Sequence, residues 1–264
     1  MLVRAATAVV LLAAFLAALF LLERTQFAIV VSVVIASGAY EWARLTGWPA
    51  TVAPVYAAAC LVAWYALLQL PGLLDGVLLV ALVFWVAAAP AWLARGPGAP
   101  APALSALAGL VVLVPAGLAM VALPRDQLLV LLGLVWTADT AAYFTGRACG
   151  RRKLAPSISS GKTWEGVAGA AAAGLAYAII CAMSAPSLRA QVQGAIWVPY
   201  LLGAAFLCAA SVLGDLLESG VKRAAGAKDS GRILPGHGGI LDRIDAVTAA
   251  LPLGALLLRQ LPAA

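Results

Sequence analysis

The sequence predicts an all-α protein: a polytopic integral membrane helix bundle of about nine transmembrane helices, with one polar site on the cytoplasmic side. Three observations carry this expectation. The 264 residues are 64% hydrophobic and only 11% charged, with a mean hydropathy of +1.01, which places the chain in the membrane class before any motif is read. Apolar residues gather into runs of the roughly 20 residues that a helix needs to cross the hydrocarbon core. Charged residues instead crowd together: Gly214 to Asp245 holds eleven of the 29 Lys, Arg, Asp, Glu and His side chains, including the single histidine.

Nine segments meet or approach the required length: 5–22, 27–44, 51–70, 74–94, 102–123, 127–146, 165–184, 195–213 and 244–261. The first follows Arg4 and resembles a signal peptide. It is longer than a usual h-region, however, and runs into LLERTQ without a small-residue cleavage site, so it reads as a retained anchor. With a cytoplasmic N-terminus, thirteen of the seventeen Lys and Arg residues lie on the cytoplasmic side, leaving Arg24, Arg125, Arg189 and Arg259 outside. That bias obeys the positive-inside rule. Two helices separate the basic segments 146–164 and 214–243, which puts both on one face.

Residues 1–123 read as a chemically quiet N-terminal set of helices, facing lipid or a dimer partner. Glu41 and Trp42 stand near a helix end there, and Trp48, Trp64, Trp85 and Trp92 are placed mostly as interfacial aromatics. GPGAPAP at 96–102 reads as a short stiff loop. Residues 124–264 form the candidate catalytic region, in which GVAGAAAAGLA supplies small residues for close helix approach. The four cysteines include no CxxC pair, and at least three read as thiols within the membrane. The net charge of +6 lies between apolar runs, which favours anionic head groups and phosphates over nucleic acid as partners.

Chemistry begins at Asp139. A carboxylate inside VWTADTAAYFTG is costly in hydrocarbon and must face the bundle interior, water or a cation; the plain alternative is a structural pair with an arginine such as Arg147. GRACGRRKLAPSISSGKTWEG follows, offering backbone amides, hydroxyls and cations suited to a polyphosphate. SGKT looks like the tail of a P-loop, but Pro156 stands where its first glycine belongs and no clear strand precedes it, so a Walker A site is rejected. In the main stretch, continuing a helix over 214–225 would place Asp215, Glu218 or Ser219, and Lys222 on one face. The glycines of PGHGG let the backbone approach a ligand closely. LDRID adds Asp242 and Asp245, again three residues apart. Asp215, Asp242 and Asp245 suit a hard divalent cation such as magnesium, which takes carboxylate oxygens, water and substrate phosphates. One histidine with no cysteine near it argues against zinc, and no nucleophilic triad suggests itself.

Ser219-x-Val221-Lys222-Arg223, then four residues, Lys228-Asp229-x-Gly231, and Leu234-Pro235-x-His237-Gly238-Gly239-Ile240-x-Asp242-Arg243-Ile244-Asp245 resembles the signature of the phosphatidate cytidylyltransferase, or CDP-diacylglycerol synthase, family. Asp139, AYFTGR at 142–147 and ISSGKTWEG at 158–166 are similar to the family's second block, with Ser160 standing where proline is common. The resemblance implies an inner-membrane, multi-pass, homodimeric enzyme that joins CTP to phosphatidic acid, giving CDP-diacylglycerol and pyrophosphate. It implies magnesium, alone or with a second cation, on Asp215 and Asp242. Lys222, Arg223, Lys228 and Arg243 would hold phosphates, with Asp229, Asp245 and His237 as orienting groups. Asp139, Ser159, Lys162, Thr163, Ser219, Gly238 and Gly239 would line the substrate site. A transporter with Asp139 and Asp215 on a coupling ion, and a sibling transferase acting on another lipid phosphate, remain alternatives.

Overall fold

In the computed structural model, which describes residues 2–96, 101–234, 236 and 238–261, each of the nine apolar segments is helical. The order is α1 (Leu2–Leu21), α2 (Arg24–Leu45), α3 (Ala53–Leu68), α4 (Leu74–Val83) and α5 (Ala89–Ala94), then α6 (Pro102–Ala122) and α7 (Arg125–Cys149). A hairpin of β1 (Lys153–Ala155) and β2 (Ser159–Thr163) leads into α8 (Trp164–Ser184), the short α9 (Pro186–Gln191), α10 (Trp197–Ala224) and α11 (Leu241–Leu258). Most of the stiff loop expected at 96–102 lies outside the described residues.

By length and composition, six stretches among the described residues are suited to crossing a bilayer: Arg24–Leu45, Pro71–Ala94, Pro102–Ala122, Arg125–Cys149, Trp164–Ser184 and Gly194–Ala224. Val9–Leu21 and Ala53–Leu68 are shorter apolar helices, and α11 opens on the charges of Asp242, Arg243 and Asp245. The protein is thus a multi-helix membrane protein. Within Pro71–Ala94, α4 and α5 are joined by a π turn at Phe84–Ala88, where the Ala89 amide reaches back to the Phe84 carbonyl. Pro90 has no N–H to offer the ladder, so the slip to a wider turn falls just ahead of it.

Lipid supplies no hydrophobic drive between helices, so close packing must hold them together. Glycines mark the tightest crossings. A Cβ on Gly174 of α8 would lie 2.3 Å from Cys208 Sγ of α10, and one on Gly169 would lie 2.3 Å from Thr145 Oγ1 of α7. The small residues of α8 therefore serve packing, as expected. Gly214 brings α10 onto α11 most closely: its Cβ would stand 2.4 Å from the Asp245 carbonyl oxygen.

Polar contacts between distant segments sort to two ends of the bundle. At one end Arg259 pairs with Asp75, Arg125 donates to the Leu22 carbonyl at 2.6 Å, and Ser187 donates to Asp126. At the other, Trp42 Nε1 donates to the Ser105 carbonyl at 2.8 Å, Lys162 meets Asp215, and α2 meets the start of α11.

The hairpin departs from an all-α reading. β1 and β2 pair antiparallel, with Lys153 opposite Thr163, Ala155 opposite Ser159 and a bulge between. Thr163 Oγ1 accepts the Gly166 amide at 3.1 Å as N-cap of α8. The Glu165 carboxylate takes the Arg151 amide at 3.0 Å and the Arg152 amide at 3.2 Å. These bonds root the hairpin in the first turn of α8, where a carboxylate also complements the helix dipole.

Candidate active site

The stretch from Gly214 does continue as helix, so Asp215, Glu218, Ser219 and Lys222 are borne on α10. Their spacing sets up two i, i+4 contacts: Ser219 Oγ donates to Asp215 Oδ1 at 3.2 Å, and the Lys222 ammonium pairs with Glu218. The hairpin delivers Lys162 to Asp215 Oδ2 at 2.7 Å, where it also donates to the Val212 carbonyl at 3.3 Å. Helix α11 contributes Asp242, whose Oδ1 lies 2.7 Å from Lys222 Nζ. Each of the two proposed metal carboxylates is therefore paired with one ammonium, and the two basic segments meet on one face.

The acids extend the cluster. Asp245 lies within electrostatic reach of Asp215, Lys162 and Lys222, and Glu218 within reach of Asp242 and Asp245. Asp139 on α7 lies within electrostatic reach of Asp215 and Lys162. It is not the partner of Arg147, which donates to the Tyr143 hydroxyl at 3.2 Å. Glu218 is buried at 3% exposure, a position in which a carboxylate needs a cation beside it.

The remaining expected residues divide. Arg223 closes α10 onto the hairpin, donating to the Ile158 and Ala227 carbonyls at 3.3 Å each. Thr163 caps α8 and is buried, while Ser159 is half-buried on β2. Lys228, Asp229 and Arg243 are exposed. His237 lies outside the described residues.

Between α10 and α11 the chain turns around its own carboxylates. Asp242 Oδ2 accepts the Ser230 amide at 2.8 Å, the Gly239 amide at 2.8 Å and the Ser230 hydroxyl at 3.0 Å. Gly238 has φ +82°, which favours glycine, and a Cβ there would lie 2.5 Å from Asp242 Oδ2. A Cβ on Gly239 would lie 2.4 Å from both Glu41 carboxylate oxygens. The close approach expected of these glycines is thus made, but to Asp242 and to Glu41, a residue of α2.

Sequence reasoning gave Glu41 only a place near a helix end. It is 2% exposed, and its partners among the described residues lie about 190 to 200 positions away: the Ser230 hydroxyl at 2.9 Å, the Ile240 amide at 3.1 Å and the Leu241 amide at 2.8 Å. The available sequence signal was a lone acid at the end of an apolar run, which asks for a partner without naming one.

Two separated aspartates, each beside a lysine at the end of a lipid-spanning bundle, suit a membrane enzyme that handles phosphates. Hard carboxylate oxygens match magnesium, and among the described residues no group of three or more His, Cys, Asp or Glu side chains forms a closed metal cage. A two-carboxylate site is completed by water and substrate phosphates.

The chain belongs to the cytidylyltransferase family, whose profile matches residues 2–261. It is 44% identical over 264 residues to a phosphatidate cytidylyltransferase of Pseudomonas aeruginosa, covering 97% of this chain and 96% of that protein. It is also similar to phosphatidate cytidylyltransferases of Haemophilus influenzae, at 50% identity over 119 residues (45% of this chain, 41% of the relative), and of Brucella suis, at 53% over 124 residues (47% and 43%).

Proposed function

We propose that this protein transfers the cytidylyl group of CTP to phosphatidic acid, giving CDP-diacylglycerol and pyrophosphate. The observation that carries the reading is the convergence of Asp215 with Lys162 and of Asp242 with Lys222 at one end of the bundle, together with the family to which the chain belongs. A phosphate oxygen of phosphatidic acid attacks the α-phosphorus of CTP, and the bond to the β-phosphate breaks as pyrophosphate leaves. The nucleophile arrives ionised, so the protein has to position it and stabilise charge. Magnesium held by Asp215 and Asp242 would neutralise the triphosphate and the departing pyrophosphate.

The chain's own groups do the rest. Ser219 and Lys162 orient Asp215, and the Ser230 and Gly239 amides orient Asp242. Lys162, Lys222, Arg223, Lys228 and Arg243 supply the positive charge around the phosphates, with Asp229, Asp245 and His237 orienting these groups and Asp139 lining the substrate site. The acyl chains stay in the bilayer while the head group enters the polar end.

The same reading has nine crossings, a cytoplasmic N-terminus and the site facing the cytoplasm from the inner membrane. The positive-inside bias and the two-ended sorting of polar contacts support it. The family resemblance supports a homodimer.

Incubating the purified protein with labelled CTP, magnesium and a panel of lipid phosphates, and identifying the product by mass, tests the proposal. CDP-diacylglycerol is the expected product. Transfer to a different lipid phosphate alone would favour a sibling transferase, and solute flux into proteoliposomes without CTP would favour a transporter.

A further inference from the structure

Glu41 enters the polar end from α2, the second helix of the chain. A carboxylate 2% exposed must be satisfied, since an uncompensated buried charge is costly. Here its partners among the described residues are neutral donors, and they stand at both ends of the loop that leads into Asp242. Oε2 accepts the Leu241 amide at 2.8 Å and Oε1 the Ile240 amide at 3.1 Å, capping α11 with a side chain from α2. Such orphan amides at a helix start call for an acceptor, and the dipole favours a negative one.

The third partner links Glu41 to Asp242. Ser230 Oγ stands 2.9 Å from Glu41 Oε2 and 3.0 Å from Asp242 Oδ2, and the Asp242 amide points back at it from 3.3 Å. One hydroxyl has one hydrogen, so the two carboxylates share a single donor. Asp242 Oδ2 is already engaged by the amides of Ser230 and Gly239, which leaves Oδ1 as the oxygen turned toward Lys222. The backbone is shaped for this arrangement: a Cβ on Gly231 would lie 2.3 Å from Glu41 Oε1.

We infer that Glu41 is a positioning residue for Asp242, acting through Ser230 and the first amides of α11 to fix which carboxylate oxygen is presented to the cation. This rests on the proposed role of Asp242 as a metal ligand. Glu41 itself touches neither cation nor substrate. Groups that orient a ligand in this way change metal affinity by roughly 10- to 100-fold when altered.

The test is manganese binding, followed by electron paramagnetic resonance on detergent-solubilised protein without nucleotide, for the wild type, E41Q and S230A. The amide of E41Q keeps the size of the side chain but places an NH2 against donors. Its manganese dissociation constant is expected to rise about tenfold or more. S230A leaves both α11 caps intact and should rise in the same sense by less. The double variant should fall short of the product of the single effects, because both act along one chain of contacts. The magnesium concentration for half-maximal CDP-diacylglycerol formation should follow the same order, with KM for CTP at saturating magnesium little changed.

A fall in melting temperature with manganese binding unchanged would make Glu41 a strut only and overturn the inference. If E41Q fails to accumulate, S230A decides by the same criterion. A wild-type protein that binds no manganese would overturn both this inference and the metal reading beneath it, whereas wild-type binding with both variants unshifted would overturn this inference alone.

Discussion

Gly214→Ala tests whether the meeting of α10 and α11 sets the catalytic geometry. The added Cβ would stand 2.4 Å from the Asp245 carbonyl, against about 3.4 Å for ordinary contact. The obstacle is backbone, so the helices must part by roughly 1 Å, and a displacement of that size in a reacting assembly can cost about 100-fold in rate. Overpacking of this kind costs about 1–3 kcal/mol in stability. Because Asp215 follows Gly214 and Asp245 is the residue struck, the displacement falls on the carboxylates themselves. Gly203→Ala is the control on the same pair of helices: its Cβ would meet only the Leu257 side-chain tip at 3.3 Å, which can turn aside. In nanodiscs, turnover of CTP with phosphatidic acid should fall by about two orders of magnitude for Gly214→Ala and stay near normal for Gly203→Ala. Equal, near-normal turnover of both variants with unchanged melting temperatures would refute the reasoning.

Asp215→Asn and Asp242→Asn should each reduce CDP-diacylglycerol formation by about 100-fold or more, the scale of losing one essential electrostatic group, while the detergent-solubilised protein keeps its helical circular dichroism. Lys222→Met leaves Glu218 and Asp242 without their shared cation; a loss of up to roughly 3–5 kcal/mol is expected, partly recovered when Glu218→Gln is added, as thermal unfolding of the single and double variants will report. Asp75→Ala removes an exposed pair with Arg259 and should leave both the melting temperature and turnover near those of the wild type. Cys149 is the exposed cysteine, whereas Cys60, Cys181 and Cys208 are buried. A membrane-impermeant maleimide should therefore label Cys149 in inverted inner-membrane vesicles and not in intact spheroplasts, and the reverse pattern would contradict the proposed orientation.

The helices were legible because burial in lipid demands long uninterrupted apolar runs, and such runs are visible residue by residue. The i, i+4 face of Asp215, Ser219, Glu218 and Lys222 was legible for the same local reason. The hairpin was not: strands of three and five residues, Lys153–Ala155 and Ser159–Thr163, carry no alternation, and SSGKT was read as part of a phosphate-binding loop and not as a strand. Lys222 and Arg223 were read as groups that hold phosphates. In this structure they hold Glu218, Asp242 and two carbonyls, contacts that depend on where α11 and the hairpin lie. Glu41 was missed because its partners are distant in sequence, and nothing nearby in the chain announces that a carboxylate there will cap a helix about 200 positions later.

The hairpin's attachment has a mechanical consequence. With Thr163 and Glu165 fastening its strands to the first turn of α8 and Arg223 tying Ile158 to α10, the β-ribbon is held between those two helices. The reach of the Lys162 ammonium toward Asp215 then depends on the axial offset between α8 and α10, which is set further along the two helices where Gly174 nests against Cys208. A residue buried in apolar packing thereby acts as the set-screw for a charge at the water's edge.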